Sequence, residues 1–179
     1  MNSLKIKIFI FIIFQLFFTT SLSNASTKVP FDNIIINKKP INYKEIIFED
    51  FSGNIINLKN FGDSVFVLNF WATWCAPCKK EMPSLEILNQ INGIKVFPIN
   101  LEKKDTNKTK KFFDNLNIKN LNIFFDPKLK LVEIFKLRGV PTTVFLDRDK
   151  KEFARVLGFA DFSDIKFKKW IISKTTKNN

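Results

Sequence analysis

Phe70-Trp71-Ala72-Thr73-Trp74-Cys75-Ala76-Pro77-Cys78-Lys79-Lys80-Glu81-Met82-Pro83 holds both cysteines of the chain, three positions apart. The run that leads into it, Ser64 to Phe70 (SVFVLNF), is β-branched, aromatic and nearly continuous in apolar character, which suits a central strand buried on both faces. From Pro77 a helix is predicted to about Asn92-Gly93, with Met82, Leu85, Leu88 and Ile91 on one stripe, Pro83 as a kink and Gly93 as a stop. Cys75 therefore falls where a buried strand gives way to a helix. The peptide dipoles and unpaired N–H groups of a helix start favour a thiolate there. Pro77 costs no hydrogen bond at that point, because the first N–H groups of a helix have no helical partner. Cys78, one turn later, lies on the same side and can close on Cys75 to release a mixed disulfide.

A C-x-x-C by itself admits three readings: half of a zinc site, a structural clip or a redox pair. Zinc wants four ligands, and a chain with two cysteines and no histidine cannot supply a sulfur/nitrogen set from within. A clip across so small a loop restricts few unfolded conformations and adds little stability. The absence of histidine also excludes Cys–His and Ser–His nucleophilic sites and c-type haem attachment. Thiols, carboxylates, lysines and the single tyrosine, Tyr43, are left to carry any chemistry. No metal site and no cofactor are expected.

Towards the N-terminus, Lys5 and Lys7 precede an apolar run, Ile8 to Phe18, followed by Ser23-Asn24-Ala25 with small residues where a signal peptidase inspects. That is the layout of a secretory signal peptide over residues 1–25. The run is short for a membrane span, which needs roughly 17–25 residues, although Ile6 through Leu22 would make an uncleaved anchor. Either way the lysine-first order sends the rest of the chain out of the cytoplasm, to the periplasm or the outer face of the membrane. Residues 26–42 read as a leader or linker, 43–173 as one domain and 174–179 as a polar tail.

Within the domain, Ile46–Phe48 and Ile55–Leu58 read as two short strands around a Ser-Gly-Asn turn. Ile94–Asn100 and Ile123–Phe125 are further strands, with helices over Thr106–Asn117 and Leu129–Phe135. Thr142–Leu146 and Phe153–Leu157 form a hairpin, and Ser163–Ser173 a last helix. Strands alternating with helices and ending in a hairpin indicate the α/β class with mixed strand directions.

The segment Phe70–Pro83 resembles the active-site segment of thioredoxin-fold proteins, and more narrowly the exported branch that includes TlpA, ResA and CcmG-like proteins. A second stretch, Gly139-Val140-Pro141-Thr142-Thr143-Val144-Phe145-Leu146-Asp147, resembles the family's loop ahead of a sheet strand. The resemblance covers roughly Tyr43 to Trp170. It implies a thioredoxin fold, with a mixed central sheet, helices on both faces and an added N-terminal β-hairpin. It implies that Cys75 is the exposed attacking cysteine, that Cys78 resolves, and that the proline at Pro141 is cis and packs against the disulfide. Trp74, Ala76, Pro77, Val140 and Pro141 would line the substrate groove.

One position departs from the pattern. Thioredoxin proper carries a buried carboxylate six residues before its first cysteine, where this chain has Asn69, which cannot take a proton. In the ResA-like branch a glutamate in the following strand–loop region sits near the thiols, and Glu102 falls at the matching place as the proton-transfer candidate. Apolar neighbours would raise its pKa toward the working pH. Its neighbours Lys103, Lys104 and Asp105 equally fit a loop surface.

The resemblance implies a reductant of exported protein disulfides, such as that of apocytochrome c during cytochrome c maturation, fed by a thiol-reducing membrane electron donor. Monomers are usual in the family. The rival readings are a thiol oxidant or isomerase and a non-catalytic copper carrier; thioredoxin-fold copper carriers pair their cysteines with a histidine, which is absent here. The charge of +12, from 29 basic and 17 acidic residues, raises nucleic-acid binding. The lysines are spread along the chain, only Arg138, Arg148 and Arg155 are arginines, and no reading motif is present, so nucleic acid is not an expected partner. Attraction to acidic partners or lipid headgroups is a secondary expectation.

Overall fold

The computed structural model describes residues 30–175. Residues 1–25, read above as a signal peptide or anchor, lie outside the described residues.

The sheet is built around β4 (Val65–Trp71), all seven residues of which are buried, as the unbroken apolar run demands. β5 (Ile94–Asn100) lies parallel to β4 after the crossover helix α1 (Ala76–Asn89), and β6 (Phe124–Phe125) lies parallel to β5 after α2 (Thr106–Asn115). On the other side, β7 (Thr142–Leu146) and β8 (Glu152–Leu157) add antiparallel strands after the short helix α3 (Lys130–Ile134). The β2–β3 hairpin (Ile47–Asp50, Ile55–Asn57) attaches to β6. Helix α4 (Ile165–Ile172) closes the described chain, capped by the Asp164 carboxylate on the N–H groups of Lys166 and Phe167.

Among the described residues the sheet has eight strands, in the order β1-β8-β7-β4-β5-β6-β2-β3, with β1 (Ile34–Ile41) at the edge beside β8. One core cluster gathers α1, α2 and α4 on one face of the sheet through Met82, Leu85, Phe112, Phe167 and Trp170. The other face packs Phe48, Phe66, Phe97, Phe124, Leu131 and Phe135 under α3 and the hairpin. The expected mixed α/β sheet with helices on both faces and an added hairpin is what the chain forms.

Residues 26–42 do not form only a leader. Ile34–Ile41 is an edge strand, β1, antiparallel to β8. Its register is interrupted between Ile36 and Ile41, where Asn37-Lys38-Lys39-Pro40 intervenes. Lysines and a proline disguise a strand in the sequence, and an edge tolerates both because one row of its backbone groups needs no ladder partner. Helix α1 stops at Asn89, a turn short of the expected end, and Gly93 takes its left-handed φ of 80° in the turn that enters β5.

A buried ion pair ties the α3 face together. Glu152, on β8, accepts from Arg155 Nε at 2.7 Å, from Arg155 Nη2 and from the Tyr43 hydroxyl. Arg155 also donates to the Phe135 carbonyl at the end of α3, and Tyr43 packs on the Phe135 ring.

Candidate active site

Strand β4 ends at Trp71, and Ala72-Thr73-Trp74 carries the chain to Cys75, which is the N-cap of α1. Cys75 and Cys78 are joined in a disulfide with their Cα atoms 5.3 Å apart. Cys75 Sγ accepts the Cys78 N–H at 3.2 Å, as an N-cap side chain does, so a helix-start donor is aimed at this sulfur. The same donor and the helix dipole favour a thiolate at Cys75 once the disulfide opens. Pro77 sits in the first turn with no N–H to leave unpaired.

The expectation of an exposed Cys75 needs correction. Cys75 is 4% exposed and Cys78 fully buried, so only one edge of the first sulfur's residue meets solvent, while Trp74 beside it is 72% exposed. The tight turn after β4 tucks Cys75 against the core cluster that also holds Cys78, Trp71 and Ala72.

The Val140–Pro141 bond is cis, and Val140 packs against the cluster that contains both cysteines. The loop is fixed at both sides: the Pro141 carbonyl accepts from Gly158 N–H at 2.9 Å, and the Thr142 hydroxyl donates to the Gly139 carbonyl at 2.8 Å. Between this loop and Trp74 lies a groove of about 440 Å³, bounded by Trp74, Leu101, Val132, Leu137, Arg138 and Val140. Of the residues expected to line a substrate groove, Trp74 and Val140 do so; Ala76 and Pro77 are exposed at the start of α1, and Pro141 is buried and does not bound the groove.

Glu102 borders the same groove, but its carboxylate is already engaged. It accepts from the Thr73 N–H and from Lys108 Nζ at 2.7 Å. Partial burial pushes its pKa up, yet the hydrogen bonds from Lys108 and Thr73 outweigh that and hold it below the usual glutamate value. The expected upward shift is therefore reversed. Glu102 is a loop anchor that stays ionised, poorly suited to taking up a proton.

The carboxyl with the opposite character is Glu81, which the sequence reading passed over. It lies three residues beyond Cys78 on α1 and is fully buried. Among the described residues no cation pairs with it: Glu81 accepts from Asn69 Nδ2 at 2.7 Å and from the Ala160 N–H at 3.3 Å. Burial raises its pKa to about 7, and these two neutral donors only partly oppose the shift. Asn69, the position where thioredoxin proper has its carboxylate, thus holds a carboxylate supplied by the helix. Asn69 also donates to the Thr143 hydroxyl at 2.9 Å, and its own Oδ1 has no donor among the described residues. The signal available in the sequence was position: Cys78, Glu81, Leu85 and Leu88 continue the buried stripe of α1 backwards through a charged residue.

A family model described as AhpC/TSA family matches residues 41–151, more than half of the chain. The chain belongs to that family. Among curated relatives in sequence it is similar to Thiol-disulfide oxidoreductase ResA of Bacillus thuringiensis (strain Al Hakam), 28% identical over 115 residues, a stretch covering 63% of this chain and 65% of that protein. It is 26% identical over 125 residues to the protein of the same name in Geobacillus thermodenitrificans, covering 68% of this chain and 71% of the relative. Among solved structures, a DsbF homologue from Corynebacterium diphtheriae superposes with a TM-score of 0.63 at 24% identity, over 81% of this chain and 95% of that one. A thiol:disulfide interchange protein of the thioredoxin family from Chlorobium tepidum TLS gives 0.64 at 17% identity, over 78% and 99%. These likenesses establish the thioredoxin fold. The AhpC/TSA match begins at Ile41, where β1 ends, and takes in the cysteine pair, Glu81, Glu102 and Val140–Pro141.

Proposed function

We propose that this member of the AhpC/TSA family is an exported protein-disulfide reductase. The single observation that carries the reading is the pairing of a cysteine disulfide at a helix start with a buried, uncompensated carboxyl on the same helix. The names of the ResA relatives and the fold support it.

In the reduced protein the Cys75 thiolate attacks one sulfur of a client disulfide. A Cys75–client disulfide forms, and the client's other sulfur leaves as a thiolate that takes a proton from water. The Cys78 thiol then gives its proton to Glu81, and the resulting thiolate attacks Cys75 Sγ. The client's second sulfur leaves, and the Cys75–Cys78 disulfide is restored. Two electrons pass from the protein to the client. A carboxyl poised near pH 7 suits the middle step, since it is partly ionised and ready to accept.

Export rests on the sequence layout of residues 1–25, and the clients are then exported proteins, with apocytochrome c in cytochrome c maturation as the leading instance. Electrons return from a thiol-reducing membrane donor. The reduction potential of the Cys75–Cys78 pair in the full chain tests direction. A value near or below about −250 mV is expected. A value near about −120 mV, at the oxidising end of the scale, would make the protein a disulfide donor and overturn the reading.

A further inference from the structure

The segments that carry the cysteine pair and its groove hold exposed cations against the local rule. Lys79 and Lys80 are exposed in the first turns of α1, which has no acidic residue in its first turn. A helix start is the positive end of the dipole, where lysines are unfavourable and acids are preferred. Arg138 borders the groove, and Lys103 stands exposed next to Glu102. None of these four cations is in an ion pair among the described residues. Of the acids beside groove residues, Glu102 is held by Lys108 and the Thr73 N–H and Asp105 caps α2 on the Lys108 N–H, which leaves exposed Glu133, next to Val132, as a single acid against the four cations. Where charges break a local preference at a functional site, the compensation is sought in function.

We propose that these cations around the cysteine pair select clients whose disulfide is flanked by acidic residues; the inference rests on the reductase reading above. Attack by Cys75 turns one client sulfur into a leaving thiolate. Carboxylates beside that sulfur oppose its negative charge, raise its pKa and make it a slower leaving group. Arg138 on the groove, Lys79 and Lys80 in the turn that follows Cys78, and Lys103 next to groove residue Glu102 supply the opposite field to a client docked at Cys75. They offset that repulsion and steer an acidic segment onto the groove.

The test uses the reduced full chain and three disulfides: a peptide disulfide flanked by glutamates, the same peptide with lysines instead, and neutral bis(2-hydroxyethyl) disulfide. Second-order exchange rates are read from tryptophan fluorescence at low and high salt, each peptide rate being divided by the neutral one. The glutamate peptide is expected to react about tenfold faster or more than the lysine peptide at low salt, with the gap closing as salt screens the charges. The combined variant K79E/K80E/K103E/R138E is expected to reverse the order. Equal rates for the two peptides, or a preference that neither salt nor charge reversal changes, would overturn the inference while leaving the reductase reading standing. Failure to exchange with all three disulfides would instead overturn the reading on which the inference rests.

Discussion

Glu81 and Glu152 are both fully buried, yet the protein surrounds them in opposite ways. Glu152 has the Arg155 guanidinium on both oxygens and the Tyr43 hydroxyl besides, three charge-matched or polar donors drawn from β8 and from the chain ahead of β2. Glu81 has one amide and one backbone N–H, neither charged. The first arrangement meets both carboxylate oxygens with a matching cation and a hydroxyl. Arg155 is held more firmly charged by its hydrogen bond to Glu152, and the Tyr43 hydroxyl is pushed up by burial and by the same carboxylate. The second arrangement leaves the carboxyl balanced near neutrality. Burial alone does not separate the two carboxyls; the lack of a compensating cation does, and it is what motivates the role proposed for Glu81.

The largest effect is expected where that compensation is removed. Arg155→Met leaves Glu152 buried without its counter-charge and should cost about 3–5 kcal/mol in urea unfolding, with the exchange rate of the remaining folded protein unchanged. A cost below about 1 kcal/mol would mean that Glu152 does not depend on its cation, and the contrast with Glu81 would collapse.

Glu81→Gln sharpens the comparison from the other side. The pKa of Glu81 lies above its ordinary value of 4.5 in the folded protein, so the folded state holds this proton more tightly than the unfolded chain does. The stability this gives is complete below about pH 4.5 and is lost as pH rises through about 7, a fall of about 3 kcal/mol. The variant should lack that slope and be the more stable of the two at pH 8. Its resolving step should slow by about 10²-fold and lose an inflection near pH 7. A variant that keeps both the wild-type rate and the inflection would remove Glu81 from the proton path.

The same contrast explains what was legible in the sequence. The strand–helix alternation, the β2–β3 hairpin and the cysteine pair are local signals, carried by apolar runs, turn residues and spacing, and the structure follows them closely. β1 was hidden because its edge position admits Lys38, Lys39 and Pro40, which read as a solvated leader. Glu81 was hidden because its character is tertiary. The stripe through Cys78, Leu85 and Leu88 puts it on the buried side, but its donors come from Asn69 and Ala160, 12 and 79 residues away, and no window around Cys78 reveals that its partners there are uncharged. Glu102 stands as the sequence candidate through the resemblance to the ResA-like branch, which puts a glutamate in the strand–loop region at that place. Its partner Lys108 is only six residues ahead, one turn inside α2, and that nearness was the available warning.

Glu102→Gln carries the smallest expected effect and the most direct bearing on the choice between carboxyls. The amide oxygen of glutamine can still accept the Thr73 N–H, and the lost ion pair is with a lysine that is 53% exposed. The cost should be a few tenths of a kcal/mol. Because the folded-state pKa of Glu102 is depressed, the stability it gives is present above its ordinary pKa and is lost only as pH falls into the acid range. The variant should therefore differ from the wild type at neutral pH only slightly, and lack that small acid-side loss. The rate of the resolving step and its inflection near pH 7 should be unchanged. Should the inflection vanish in Glu102→Gln and persist in Glu81→Gln, the proton acceptor would be the carboxyl at the groove's edge, and the buried one would be a packing residue with an uncommon pKa.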